Sequence, residues 1–318
     1  MKLLSIIVPM YNSEKTIKKC MDSVININNI EIILIDDGSS DKTKEMCLLY
    51  QEKYKNIKYI YQSNSGPGKA RNNGIKEAEG KYVMFLDSDD YIETSGLEEI
   101  LNDYLVDEKY DIVYYNFQQV SENGYIYKRY ELYKFNELKK EDLIKNTISW
   151  TLPWGQFKII KRKIILDNNV FFEEDIKNSE ELFFTINVLN KSEKIYFFNK
   201  IVYNYLKRDK SISRDIDLED YKNNVEIVFN KLYRKFENTE YMQEVYNYYA
   251  VSNIHILKEE IAKEKYTMFK DTSKEIRKNI KKMNLKYIAK RYKIILKILE
   301  FHLDYLLYII FKVYFRRK

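Results

Sequence analysis

"EIILIDDGSSDKTKEMCLLYQEKYKNIKYIYQ", residues 31–62, reads as one complete strand–helix–strand unit. Its first run is apolar from Ile32 to Ile35 and ends on Asp36 and Asp37. Ser40 is placed to cap an amphipathic helix over 41–54. A second strand follows at 57–62. Two strands joined by a helix rather than a tight turn run parallel. Parallel strands are buried on both faces, so they read as apolar runs instead of alternating patterns.

The same alternation extends in both directions. "LLSIIVP" (3–9) is a strand and 14–27 a helix. Residues 68–79 form a helix, "YVMFLD" (82–87) a fourth strand, 97–107 a helix and "DIVYYNFQQV" (111–120) a fifth strand. The predicted class is α/β, with a mostly parallel, Rossmann-like central sheet. From 121 to 207 the pattern is mixed. "YIYKRYELYKF" (125–135), "FKIIKR" (157–162) and "KIYFFNKIVYNYL" (194–206) are strands, and "EELFFTINVLNK" (180–191) is a helix. Beyond about 215 the pattern is helical throughout.

The composition narrows the chemistry. With 318 residues and 45% hydrophobic content, the chain can bury one large core or two modest ones. The two cysteines, Cys20 and Cys47, have no metal-ligand spacing, which suits a reducing cytosol better than a disulfide framework. The two histidines, His255 and His302, both lie late in the chain. A histidine zinc site or a Ser-His-Asp triad in the first 250 residues is therefore excluded, and acid/base work there falls to carboxylates, Lys or Tyr. Residues 286–318 hold nine Lys/Arg and two acids, a local +7 against +6 for the whole chain, so the remainder carries −1. That balance argues against a nucleic-acid-binding body and for a local electrostatic contact at the C-terminus. "MKLLSIIVPMYN" is a buried first strand rather than a signal peptide.

In open parallel sheets, ligands bind beyond the carboxyl ends of the strands. The unusual polar stretches all fall there. "DDGSSD" follows the second strand, "SNSGPGKARN" the third and "DSDD" the fourth. Asp36 and Asp37 before Gly38 can accept from a base N–H or a ribose hydroxyl, though a capped turn has the same sequence. Gly-rich backbone opening a helix approaches phosphate, and Lys69 and Arg71 offset its charge. Asp87 and Asp89, two apart in extended backbone with no His or Cys nearby, suit Mg²⁺ or Mn²⁺ bridging a nucleotide diphosphate. Each stretch is weak alone, and an isolated acidic turn is usually just solvated. Three on one sheet edge are not.

Taken together, "SIIVPMYN" (5–12), "IEIILIDDGSSDKT" (30–43), "NSGPGKARNNGI" (64–75) and "YVMFLDSDD" (82–90) resemble family 2 glycosyltransferases of the GT-A fold. "PWGQFKIIKR" (153–162), "SEELFF" (179–184) and "IVYNYLKRDKSIS" (201–213) resemble later landmarks of bacterial members. The resemblance implies a GT-A domain over 1–212, with a donor-binding half 1–120 and an acceptor half 121–212. A helical region (213–285) and a basic amphipathic helix (286–318) follow. It places Pro9, Tyr11 and Asp37 at a nucleobase, Lys69 and Arg71 at the base or diphosphate, and Asp87 at the ribose. Asp89 becomes the metal ligand of the DxD motif, and Trp154 lies near the acceptor channel. Where the family usually has Glu-Asp, this chain has Glu180-Glu181, which makes Glu181 the expected general base and Glu180 the second choice. Lys207, Arg208 and Ser211 are candidates to close over the diphosphate.

The implied reaction is inverting, metal-dependent transfer from a nucleotide sugar, with UDP the expected carrier. The expected acceptor is a saccharide, lipid-linked, in capsule or surface-polysaccharide synthesis. The processive motif Gln-x-x-Arg-Trp is not visible, so one sugar or a few are expected per binding event. Two rivals are a nucleotidyltransferase that makes the activated sugar and a catalytically degenerate partner module. "VPMYNSEKT" has no Gly, which disfavours the first rival; intact Asp37, Arg71, Asp87 and Asp89 disfavour the second.

The tail 292–318 reads as one amphipathic helix, with Tyr292, Ile295, Leu299, Leu303, Leu306, Ile310 and Val313 at steps of three and four. Its charges leave no run near the roughly 20 apolar residues of a spanning helix. Two expectations stand: docking on the protein's own core or a twin subunit, or lying on an anionic membrane. The second places the protein in the cytoplasm, peripheral at the inner face of the cell membrane.

Overall fold

The computed structural model describes residues 2–176, 179–207 and 217–316. The chain divides into two compact units, the first comprising Met1–Lys140, Trp154–Asp175 and Glu180–Ser211, the second Glu141–Pro153, Ile176–Ser179 and Ile212–Lys318.

The first unit opens with β1 (Leu4–Met10), α1 (Ile17–Asp22), β2 (Ile30–Asp37), α2 (Thr43–Lys53), β3 (Ile57–Gln62), α3 (Pro67–Glu77) and β4 (Tyr82–Phe85). β5 (Tyr91–Ile92), α4 (Thr94–Ile100), β6 (Ile112–Val120) and β7 (Ile126–Tyr130) follow. Every residue of β1 and β2 is buried, as fully covered parallel strands require. β1 pairs in parallel with β2 on one side and β4 on the other, and β3 adds to β2. Pro9 is tolerated inside β1 because the β4 ladder stops at Phe85 opposite Ile7, two residues short of it. α3 lies close on β1: a Cβ on Gly74 would collide with the Ile7 side chain.

The remainder of the sheet is mixed. After α5 (Lys140–Ile148), which belongs mostly to the second unit, come β8 (Lys158–Lys161), α6 (Arg162–Asp167), α7 (Glu180–Lys191) and β9 (Ile195–Leu206). The strand order is β3-β2-β1-β4-β8-β6-β9-β5, with β7 on β6. β8 is antiparallel to both β4 and β6, while β6 and β9 run parallel. The fifth strand of the alternating pattern therefore keeps its direction but does not neighbour the fourth.

Local expectations needed four adjustments. α2 begins at Thr43 with Lys42 before it, and Ser40 donates to Asn12 Oδ1 instead of capping the helix. The helix over 14–27 shrinks to α1 flanked by turns. The helix over 97–107 is α4 running into a π-helical turn at Leu101–Leu105, where Tyr104 stacks on Tyr196 at 4.9 Å. The strand over 125–135 stops at Tyr130 because Asn116 Oδ1 captures the Leu132 and Tyr133 N–H groups and folds the chain into a 3₁₀ turn.

The second unit is helical. Its elements beyond α5 are α8 (Leu218–Phe236), α9 (Met242–Ala262), α10 (Tyr266–Asn279), α11 (Lys290–Glu300) and α12 (Asp304–Arg316). α9 is buried along most of its length and supplies Ala250, Val251, Ile254, Leu257 and Ile261 to a core completed by Phe269, Ile276, Tyr292, Leu296 and Leu299. Asn247 crosslinks this unit, donating to Ser149 Oγ (2.9 Å) and to the Asn284 carbonyl (2.8 Å).

The single tail helix is a correction. α11 and α12 are separate helices, because His302 adopts a left-handed φ of 57°. His302 N–H donates to the Leu299 carbonyl and Leu303 N–H to the Ile298 carbonyl, the paired bonds of a Schellman stop. The stop rotates the apolar stripe. Tyr292, Ile295 and Leu299 are buried, but Leu303, Leu306, Ile310 and Val313 are exposed, and α12 buries Leu307 and Tyr308 instead. No helix among the described residues is long and apolar enough to cross a membrane.

Candidate active site

The carboxyl ends of β2, β3 and β4 carry the site. Leaving β2, Asp36 accepts from Ser39 N–H (2.8 Å) and from the Tyr59 hydroxyl (2.7 Å). Gly38 then turns the chain at φ 82°, and a Cβ there would meet the Asn64 backbone nitrogen at 2.8 Å. Asp37 is buried and accepts from Gln62 Nε2, Ser65 N–H and Gly66 N–H, each at 2.8 Å. Its carboxylate therefore shapes the Gly-rich loop that opens α3. Pro9 is buried beneath this edge, whereas Tyr11 is 45% exposed and Lys69 projects from the first turn of α3.

The three aspartates after β4 have three different environments. Asp90 is buried, accepting from the Tyr203 hydroxyl and from Leu206 N–H, both at 2.7 Å. Burial, then Asp89 and Asp87, pushes its carboxyl well above the usual range. Tyr203 also receives the Asp87 N–H at 3.3 Å, so β9 fixes the whole turn. Asp87 is partly open and accepts from Arg71 at 3.0 Å. Asp89 is also partly exposed.

Arg71 is the hub. It is buried, with Nη2 on Asp87 and Nη1 shared between Glu180 Oε1 (3.0 Å) and Glu181 Oε1 (3.1 Å) of α7. Burial opposes its charge, but Glu181, Asp87 and Glu180 outweigh that and hold it firmly protonated. The structure thus brings Arg71, Asp87, Glu180 and Glu181 together. Of the two cations in the Gly-rich loop, Arg71 is engaged by protein carboxylates and Lys69 faces solvent.

The two glutamates are not equivalent. The Glu180 side chain is 5% exposed, and its Oε2 is buried without a hydrogen-bond partner among the described residues. The Glu181 side chain is 18% exposed and receives Gln156 Nε2 at 3.1 Å. Burial first, then Glu180, raises the Glu181 carboxyl to about 7 against the lowering effect of Arg71. A carboxylate with that value accepts a proton readily near neutral pH.

Gln156, Lys158 and Tyr203 escaped the sequence reading. Each acts through a partner far along the chain or through a backbone carbonyl, which leaves no spacing signal. Trp154 is half-buried, and its carbonyl accepts from Lys158 Nζ (2.8 Å) and Thr185 Oγ1 (3.0 Å). Lys207 places Nζ 4.5 Å from the centre of the Tyr127 ring. Arg208 and Ser211 lie outside the described residues.

The sequence model for glycosyl transferase family 2 matches residues 5–167, the stretch that carries this sheet edge. The chain belongs to glycosyl transferase family 2. The glycosyltransferase GlyG of Streptococcus pneumoniae serotype 4 is 31% identical over 247 residues, covering 73% of this chain and 80% of GlyG. EpsJ of Bacillus subtilis, also described as a glycosyltransferase, is 31% identical over 66% of this chain. A poly(ribitol-phosphate) beta-glucosyltransferase of Bacillus spizizenii is 34% identical over 65% of it. The chain spans 63% of EpsJ and 32% of the Bacillus spizizenii enzyme.

Among solved structures, S. aureus TarS is similar at TM-score 0.60 and 25% identity over 79% of this chain and 43% of TarS. TarS 1–349 in complex with UDP-GlcNAc covers all of this chain and 92% of that one, with TM-score 0.68 and 22% identity. This member of glycosyl transferase family 2 therefore has the GT-A fold, with its mostly parallel sheet and C-terminal helices. It also matches the fold expected from residues 5–12, 30–43, 64–75 and 82–90.

Proposed function

We propose that this family 2 enzyme transfers a hexose-type sugar from UDP to a hydroxyl of a saccharide acceptor, by one displacement with inversion at the anomeric carbon. The observation that carries this reading is the Arg71 hub. It ties Asp87, on the donor-binding edge, to Glu181, the accessible carboxylate of α7. One rigid group thus spaces the donor from the base, and such positioning supplies much of a transfer enzyme's rate.

Pro9, Tyr11 and the loop held by Asp37 receive the nucleobase, Asp87 the ribose and Lys69 the diphosphate side. Glu181 takes the proton from the acceptor hydroxyl on the face opposite the leaving group. Glu180 keeps Arg71 charged and in place.

Asp89 and the free side of Asp87 are hard oxygen donors. No group of three His, Cys, Asp or Glu side chains among the described residues is placed to hold a metal by itself. That donor set suits Mn²⁺ or Mg²⁺, which commonly use one or two carboxylates and complete their shell with phosphate oxygens and water. Bound there, the ion would neutralise the departing diphosphate.

The domain division proposed is catalytic 1–212, helical 213–285 and basic C-terminal 286–318. The exposed apolar residues of α12 and the basic charge of 286–318 suit a peripheral contact with an anionic membrane on the cytoplasmic side. A lipid-linked saccharide of a capsule or surface polymer is the acceptor class that such a location serves. The polyol-phosphate polymers named for two relatives belong among the acceptors to test. A panel of UDP- and GDP-sugars with Mn²⁺, read by nucleotide release, tests the donor assignment. Release from a GDP-sugar but from no UDP-sugar would overturn it.

A further inference from the structure

Lys158 is the one buried lysine among the described residues, and the mechanism above does not use it. It is the first residue of β8. Its Nζ donates to the carbonyls of Trp154 (2.8 Å) and Gly155 (2.6 Å), and among the described residues no carboxylate lies within ion-pair distance of it. A buried ammonium without a carboxylate is costly, and an apolar side chain of the same length would pack there without that cost.

What the ammonium holds is the turn at Trp154–Gln156, and that turn faces the base. Glu181 and Thr185 are four residues apart on α7 and so share one face of the helix. Both reach the turn: Thr185 Oγ1 donates to the Trp154 carbonyl at 3.0 Å, and Glu181 Oε1 receives Gln156 Nε2 at 3.1 Å. A third tie comes from β6, where the Tyr115 hydroxyl donates to the Gln156 carbonyl at 2.6 Å. The turn is therefore clamped from β6, β8 and α7. Only one of these ties, Lys158, brings a positive charge.

We infer that Lys158 is a positioning residue for the transfer step: its ammonium closes the Trp154–Gln156 turn and thereby sets Gln156 on the base, Glu181. The groups acting on Glu181 are Glu180, Arg71 and Asp87, and the Glu181 charge in turn acts on Lys158. Burial lowers the Lys158 ammonium to about 7, with Glu181 raising it and Arg71 lowering it. This inference rests on the reading of Glu181 as the base.

The test uses the full chain and four proteins: wild type, Lys158→Met, Lys158→Gln and Glu181→Gln. Lys158→Met removes both the clamp and the charge. UDP affinity should stay within about twofold while kcat falls roughly tenfold to a hundredfold, the scale of a small misplacement at a reacting centre. Loss of a nearby cation raises a carboxyl pKa, so the acid limb of kcat should move to higher pH. Lys158→Gln keeps a donor for the carbonyls but no charge. It should recover most of kcat and retain the displaced acid limb.

A role limited to filling space predicts equal kcat for the two Lys158 variants and an unmoved limb, and that result overturns the inference. If Lys158→Met does not fold, Lys158→Gln against wild type still decides, because an unmoved limb is equally fatal. Glu181→Gln separates the two readings. If it keeps full transfer, the base is misassigned; if it abolishes transfer while Lys158→Met behaves as wild type, only the role of Lys158 falls.

Discussion

Arg71 Nη1 lies 3.0 Å from Glu180 Oε1, and both side chains are 5% exposed. A buried ion pair adds little net stability, but removing one partner leaves the other charge stranded. Arg71→Met should therefore cost about 3–5 kcal/mol in urea denaturation at neutral pH. Without the guanidinium, Glu181 loses the group that lowers its carboxyl and holds its proton more tightly in the folded state. The deficit should then shrink as pH falls and Glu181 protonates. Glu180→Gln in the Arg71→Met background should restore part of the loss. Wild-type stability for Arg71→Met would show that the hub holds nothing.

Glu181→Gln should leave UDP-sugar binding by calorimetry unchanged and cut transfer by roughly 10²–10⁴-fold, the range lost with a general base. The same loss from Glu180→Gln, with Glu181→Gln active, would move the base by one residue.

The Glu181 carboxyl, raised to about 7 chiefly by burial, also sets a pH dependence. A base works only when deprotonated, so kcat should rise with pH through about 7 and then level. The stability sign is opposite. A carboxyl raised in the folded state binds its proton more tightly there, so its contribution is present at low pH and lost as pH rises through 7. A kcat profile flat from pH 5.5 to 8.5 would exclude this carboxyl as the titrating base.

Asp89→Ala should abolish Mn²⁺-dependent donor turnover, and chelation should do the same to the wild type. Turnover that survives both treatments would remove the metal from the mechanism.

The tail is tested by substitution rather than deletion. Cutting before α11 would strip Tyr292, Leu296 and Leu299 from a core, so loss of membrane contact could not be told from unfolding. Leu306→Gln with Ile310→Gln changes only exposed positions. Melting should be almost unmoved, since exposed substitutions usually fall within about 0.5 kcal/mol. Flotation with phosphatidylglycerol vesicles should be lost. Retained flotation would show that α12 does not mediate membrane contact.

What was legible in the sequence was whatever repeats locally. The run 31–62 contains a strand, a helix and a strand in full, and its periodicity needs no knowledge of the rest of the chain. The slot of β8 was not legible, because Val83 finds Ile160 only after folding. The break in the tail was hidden for a chemical reason: the left-handed residue is His302, not the Gly that usually marks a helix stop. Arg71 in a Gly-rich loop reads as a phosphate ligand, and its neighbour Glu180 is 109 positions downstream. Lys158 in "FKII" reads as an ordinary strand residue, since nothing in the spacing announces that its ammonium is buried.

The hydrogen bond from Tyr203 to Asp90 spans 113 positions, and β8, from residues 158–161, lies between β4 and β6. All four motifs have been synthesised by residue 90, yet the acidic turn lacks its anchor until Tyr203 leaves the ribosome. A fragment ending at 120 would carry all four motifs and still lack the strand beside β4 and the hydroxyl that fixes the turn. The first 120 residues are therefore not an exchangeable cassette, and recombination between relatives that cuts near 120 would have to bring a compatible β8 and β9 with it.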